Sequence, residues 1–207
     1  MRELIPGIWH WPAFYDSIGM DVHSYWIESA GIVLDPMVPP DVGLDWWEAR
    51  EVQPQQVVLT IGLHWRESEE FASRFGIPIV VPSPALHRYE GTDRSPETYE
   101  WGDEIAPGVT AIEIGAIAPD EAALHIEHGD GAVAIADAAI RASGGGPLTF
   151  VPDGLMGNDP ETVKAGLHDS LRGLLTREWD TMLMAHGDPI VGGAQKDLQD
   201  FLDGSAS

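Results

Sequence analysis

MLMAHGDPIVGGAQKDL, residues 182–198, is the stretch from which the rest of the chain can be ordered. The apolar run Thr181–Ala185 stops at His186-Gly187-Asp188-Pro189, and a helical pattern over Gly193–Leu202 follows, with Ala194, Leu198, Phe201 and Leu202 on its apolar face. This predicts a strand, a turn and a helix, with a histidine where the strand ends. In α/β proteins ligands gather beyond the ends of strands, so His186 is a candidate site residue. Two other predicted strands end in the same way. Val57–Thr60 (VVLT) leads into Ile61-Gly62-Leu63-His64-Trp65-Arg66, and Ala132–Ala136 leads into Asp137. Singly, each has an ordinary structural reading: an Asp at a strand end caps or turns, and a His before Gly bonds a loop. Their joint occurrence points to a site.

Working outward, β-like and helix-like segments alternate along the chain. Glu3–Trp9, bent by Pro6-Gly7, is followed by Asp21–Ser29 and Ile32–Asp35, which pair as a hairpin across Ala30-Gly31. A helix capped by Asp41 is expected through Leu44, Trp47 and Val52, and another over Arg66–Phe75. Ile77–Val81 is a buried strand, and Ser83–Pro107 a long loop rich in Pro and charge. Val109–Ile114, Ala122–Glu127 and Ala132–Ala136 follow as strands. Asp159 caps a helix with Pro160 at its first position and Val163, Leu167, Leu171, Leu174 and Leu175 on one face. The order predicts one α/β domain over 1–203, with two mixed sheets and outer helices, and a loose tail at 204–207. Ser143–Gly146 reads as a flexible turn without the lysine of a phosphate loop.

Composition narrows the function. The 207 residues carry 34 acids against 11 bases, a net charge of −23. Such a field repels nucleic acid and anionic membranes, so neither is an expected partner; a small molecule is. No cysteine is present, which excludes disulfides, zinc–thiolate sites and a Cys nucleophile. MRELIPGIWHW lacks the apolar stretch of an export signal, so a cytoplasmic setting is the default expectation. Only Lys164 and Lys196 are lysines, and acids run from Glu3 to Asp203. Many carboxylates with little lysine suit a halophilic protein, whose self-repulsion concentrated salt screens; ordinary acidity from a GC-rich genome is the plainer reading. The halophilic reading predicts a melting temperature that rises from millimolar to molar KCl, and an unchanged value would exclude it.

VHSYWIESAGIVLDPMVP, VVLT, PDEAALHI, AVAIADAAI and MLMAHGDPIVGGAQKDL, in that order, resemble the metallo-β-lactamase-fold superfamily along nearly the whole chain. The resemblance implies a four-layer αββα sandwich whose second half repeats the plan of the first. It also implies zinc- or iron-dependent hydrolysis at a centre built from His-x-His-x-Asp-His after a strand-end Thr, a second-half His, a bridging Asp and a final His-Gly. Laid on this chain, those motif positions hold Ile61, Leu63, Trp65 and Arg66, and the second-half His falls at Ala116. Asp137 and His186 match the bridging Asp and the last His, and His64 lies one residue from the second His position. The resemblance thus implies a degenerate centre with at most one zinc or iron ion on His64, Asp137 and His186, which three ligands and a water can hold. Asp137, His186 and Arg66 are the candidate catalytic groups, acting on a small ester, amide or thioester. Three alternatives stay open: no metal, with Arg66 paired to Asp137 in its place; a non-catalytic protein that binds a small molecule or partner in the old cleft; and a structural subunit of a larger assembly. His23, Tyr25 and His87 are placed near the expected mouth, where packing or a solvated loop is the plainer role, and Trp65 is placed to wall a pocket. His10, His125, His128 and His168 read as structural or exposed.

Overall fold

The computed structural model describes residues 1–142 and 145–205, and two large sheets dominate it. The first contains β1 (Arg2–Ile5), β2 (Ile8–Tyr15), β3 (Met20–Ile27), β4 (Ile32–Leu34), β5 (Gln56–Val58), β6 (Ile79–Pro82) and β7 (Glu97–Tyr99), in chain order from edge to edge. β1 to β4 form an antiparallel meander, and β4 to β7 run parallel. The second sheet contains β8 (Glu104–Ala106), β9 (Val109–Glu113), β10 (Ala122–Ile126) and β11 (Ala132–Ile135). A ribbon of β12 (Ile140–Arg141) and β13 (Leu148–Thr149) interrupts the order, and β14 (Thr181–Met184) and β15 (Ile190–Val191) complete the sheet. All its neighbours are antiparallel except β11 and β14.

Alternation along the strands builds the layers. Val58 faces the space between the sheets, while Val57 and Leu59 face outward onto α1 (Ser68–Phe75) and the tryptophan cluster. Leu183 points inward, while Met182 and Met184 point outward to α2 (Pro160–Leu174) and α3 (Ala194–Ser205). Both faces of each sheet are therefore covered, which is why the central strands read as unbroken apolar runs rather than as alternation. The result is the expected four-layer αββα arrangement. Tyr25 joins the sheets: its hydroxyl donates to the Met184 carbonyl at 2.7 Å and accepts from the Met184 amide at 2.8 Å. Among the described residues, no helix is long and apolar enough to cross a membrane.

Several local expectations change. Residues 41–52 form a 3₁₀ segment, Leu44–Ala49, and not a capped α-helix. Trp47 is fully buried there against Trp11, Trp26, Trp46, Phe71 and Phe75. Gln53 donates to the carbonyls of Trp47 and Arg50, closing the segment, and Asp41 pairs with the N-terminal amine instead of a helix. The helix expected from Arg66 starts at Ser68, because Arg66 has φ +41° and turns its side chain back to the first sheet. β7 and β8 lie within the stretch expected to be loop, and α3 continues through two residues of the expected tail. Asp159 caps α2 as expected, accepting from the Thr162 amide at 3.2 Å. Of the expected turn at 143–146, residues 143–144 lie outside the described residues, as do 206–207 of the tail.

Candidate metal centre

Two parallel strand pairs, β4–β5 in one sheet and β11–β14 in the other, open their C-terminal ends onto one edge. Two backbone bonds link the sheets there, from the Ala122 amide to the Thr60 carbonyl (2.8 Å) and from the His23 amide to the Ala185 carbonyl (3.0 Å). Asp35 follows β4, the turn Gly62–Trp65 follows β5, Asp137 follows β11 and His186 follows β14. Four segments distant in sequence thus meet because each is where a parallel strand stops.

His64, Asp137 and His186 each offer one ligand atom, and these atoms lie within 4.8 Å of one another. His186 Nε2 is 3.1 Å and His64 Nε2 is 3.6 Å from Asp137 Oδ1. Ligands about 2.0 Å from a tetrahedral ion stand about 3.3 Å apart, so this spacing fits one ion. The donor set, two imidazoles and a carboxylate, suits zinc or iron. His64 stands in the 3₁₀ turn Gly62–Trp65. The other motif positions offer no ligands: Ile61 is buried in the core, and Leu63 faces solvent.

Two buried acids not singled out from the sequence hold the centre in place. Asp35 accepts from His64 Nδ1 at 3.0 Å, from the Thr60 amide at 2.8 Å and from the Thr60 hydroxyl. This fixes the tautomer of His64 and aims Nε2 at the centre. Glu121 accepts from the amides of Asp137 and Ala138 at 2.7 and 2.6 Å, anchoring the end of β11. An acid closing an apolar strand (IVLD) and one heading another (EAALHI) are the signals that would have found them.

The charges follow from these contacts. Burial opposes ionisation of Asp137, but its bonds with His186 and His64 outweigh that and hold its carboxyl far below the usual range. Burial likewise opposes ionisation of Asp35, and the charge and hydrogen bond of His64, with Arg66 and Thr60, keep it low. His64 is pushed up, because Asp35 and Asp137 overcome burial and the repulsion of Arg66. Glu121 goes the other way: burial, then the charge of Asp137, push it up to about 8.

Arg66 does not pair with Asp137 as the metal-free alternative required. Its Nη1 donates to the carbonyls of His23 (3.0 Å) and Asp35 (2.7 Å), because the positive φ at Arg66 turns its side chain under β3 and β4. Its Nη2 is buried without a partner. His23 bonds His10 at 2.7 Å, and Tyr25 is a core residue. His87 lies in the loop after β6, its Nδ1 donating to the Pro84 carbonyl at 2.6 Å. Trp65 does wall a cleft, and its indole donates to Glu69 at 2.9 Å.

Gly187 sets the angle at which His186 leaves β14. Its φ is +91°, and a Cβ there would stand 2.5 Å from the Arg141 carbonyl oxygen. Gly187→Ala is therefore expected to cost at least about 2 kcal/mol in a urea melt, through both backbone strain and this clash.

No family model and no curated protein matches the sequence. Solved structures do match in shape. A metallo-β-lactamase family protein from Thermus thermophilus gives a TM-score of 0.66 at 16% identity, over 99% of this chain and 81% of that one. The metallo-β-lactamase FIM-1 from Pseudomonas aeruginosa, in its mono-zinc form, gives 0.66 at 14% identity, over 99% and 94%. TTHA1623, in a di-iron-bound form, gives 0.64 at 18% identity, over 90% and 96%.

Proposed function

We propose, from a metallo-β-lactamase fold that gathers His64, Asp137 and His186 at one edge, that this protein is a hydrolase with a single zinc or iron ion, acting on a small ester, amide or thioester. The supporting observation is the convergence of these three ligand atoms, with Asp35 and Glu121 behind them. A bound ion would supply hydroxide at neutral pH and polarise the scissile carbonyl. The chain's own residues do the remainder. His64, held by Asp35, would present Nε2 to an ion in a fixed direction once the proton that Asp137 favours there is released. The bonds of Asp137 with His186 and His64 favour its ionised form, so its carboxylate would serve as a ligand and as a negative charge. Glu121 fixes the backbone that carries it. Arg66 places a buried cation beside Asp35, limiting the negative charge at the centre.

A second reading, a binding cleft without metal, draws on one observation: Asp35, His64, Asp137 and His186 already form a continuous chain of polar contacts. Metal analysis of protein purified without chelator separates the two. About one zinc or iron per chain is expected, and none in an Asp137→Ala/His186→Ala double variant. Wild-type protein without metal at every purification stage would overturn the hydrolase reading.

A further inference from the structure

Beside the centre lies an open cleft of about 420 Å³, lined by Arg66, Arg88, Arg94, His87, Trp65 and Tyr89, with Tyr15, Gly62 and Leu63. Its charge runs against the composition of the chain. Acids outnumber bases 34 to 11, yet three of the nine arginines line this cleft and, among the described residues, no Asp or Glu does.

The cations are held for use in different ways. Arg88 is clamped by Asp120, which accepts from its Nε at 2.7 Å and its Nη2 at 2.6 Å, and Asp120 also takes the Gly62 amide at 3.0 Å. The guanidinium is thereby tied to the loop that carries His64. Arg66 contributes a buried charge whose Nη2 has no partner, an unmet cost for a guanidinium. Arg94 lies over the Trp65 ring, 4.6 Å from its centroid, and its carboxylate partner, Glu69, is 3.5 Å away on the open surface. Trp65 and Tyr89 stand 4.9 Å apart as the apolar wall, and the Tyr89 hydroxyl is fixed on the Gly62 carbonyl at 2.7 Å. Cations held in place beside an aromatic wall suit an oxyanion, since guanidinium groups match carboxylate and phosphate geometry, although Asp120 and Glu69 already pair with Arg88 and Arg94.

The cleft is lined by Gly62, Leu63, Trp65 and Arg66, the neighbours of His64 in the turn after β5. The charge of Asp137 acts on both Arg66 and Arg88.

We propose that this cleft binds the oxyanion end, phosphate or carboxylate, of an anionic substrate, with Arg66 and Arg88 as its fixed contacts and Arg94 and His87 at its mouth. The position of the scissile bond rests on the hydrolase reading; binding of the anion does not. The proposal also gives the cationic patch a role in an acidic protein: it marks an approach that draws an anion inward.

Calorimetric titration with inorganic phosphate, and with acetate in a parallel arm, at constant ionic strength tests it. Both chelator-treated and metal-loaded protein are titrated. Arg94→Gln and His87→Gln are the working variants, because both side chains sit at the mouth and outside the core. The expected result is saturable binding of phosphate or acetate to the chelated wild type, weakened roughly fivefold or more in Arg94→Gln/His87→Gln and retained in Asp137→Ala/His186→Ala. The arm that saturates identifies the oxyanion. Binding lost in Asp137→Ala/His186→Ala but untouched by Arg94→Gln/His87→Gln would place the anion at the metal centre and overturn the proposal. So would the absence of saturable binding in both arms. Metal bound without anion binding sinks this proposal alone, and anion binding to a protein that never holds metal sinks only the hydrolase reading.

Discussion

Asp35→Ala is expected to lower the stability of the fold by about 3–5 kcal/mol and to weaken metal binding by roughly 10–100-fold. Asp35 is 2% exposed, and its carboxylate takes bonds from the Thr60 amide and hydroxyl and from His64 Nδ1. Removing it leaves three donors buried without an acceptor, and His64 loses the opposite charge that outweighs its burial. Such a loss is larger than the net worth of the intact pair, because the remaining group keeps its desolvation cost. The second effect has a different origin. Without Asp35, nothing fixes the tautomer or the ring of His64, and Nε2 no longer points at the centre by default. Asp35→Asn separates the two: its similar shape retains part of the hydrogen bonding and most of the stability, while loss of the charge still weakens metal binding. Urea melts and metal titration of both variants check this. A midpoint unchanged in Asp35→Ala would show that the contacts around Asp35 carry no net energy.

This dependence on buried acids also explains which parts of the site were legible in the sequence. Asp137 and His186 stood out because an apolar strand visibly ends at each. His64 was within reach because it follows Thr60 by four residues, in the turn that leaves β5. Asp35 and Glu121 did not stand out: hydrophobic patterning says which strands are buried, and an acid beside such a strand is usually solvated. The arginine cleft was hidden for another reason. Arg66, Arg88 and Arg94 come from two separate loops, and only the docking of the loop after β6 against the turn after β5 brings them together. For the fold, most of the longer strands and α2 were plain from periodicity, but β2 was not: the expected strand stopped at Trp9, and the structure carries β2 on to Tyr15. β7, β12, β13 and β15 were not, because two or three residues carry no period, and their pairing is decided by neighbours. Residues 41–52 mimicked an amphipathic helix because Leu44 and Trp47 are three apart, a spacing that a 3₁₀ turn serves as well.

Acid should destabilise the protein well before its carboxylates titrate, and His10 and His23 are the cause. The rings bond at 2.7 Å and stack with centroids 5.0 Å apart, with exposures of only 2% and 5%. Burial, reinforced by His23, lowers His10 from 6.5 to about 3. Burial lowers His23 from 6.5 to about 4 against the opposing charge of Asp188, with His186 and Arg66 acting in the same direction as burial. Both are neutral in the folded protein, whereas in the unfolded chain each takes a proton below pH 6.5. The contribution of this pair is therefore at its full value above pH 6.5 and falls as pH drops toward the folded values, while Glu121, raised to about 8, offsets part of that loss over the same window. Each tenfold loss of proton affinity on folding corresponds to about 1.4 kcal/mol per group, so several kcal/mol are lost between pH 6.5 and 4. The depressed carboxyls of Asp35 and Asp137 act in a lower window: their contribution is intact above about 4 and fades only as pH falls further. His64, raised in the folded state, contributes fully below its unfolded value and loses that contribution as pH rises through the folded one, so it cannot produce an acid loss. A His10→Gln/His23→Gln variant, which keeps hydrogen-bonding groups and removes both titrations, should flatten the urea midpoint between pH 6.5 and 4.5 at fixed ionic strength. If wild type and variant fall with the same slope across that window, the buried pair does not set the acid limit.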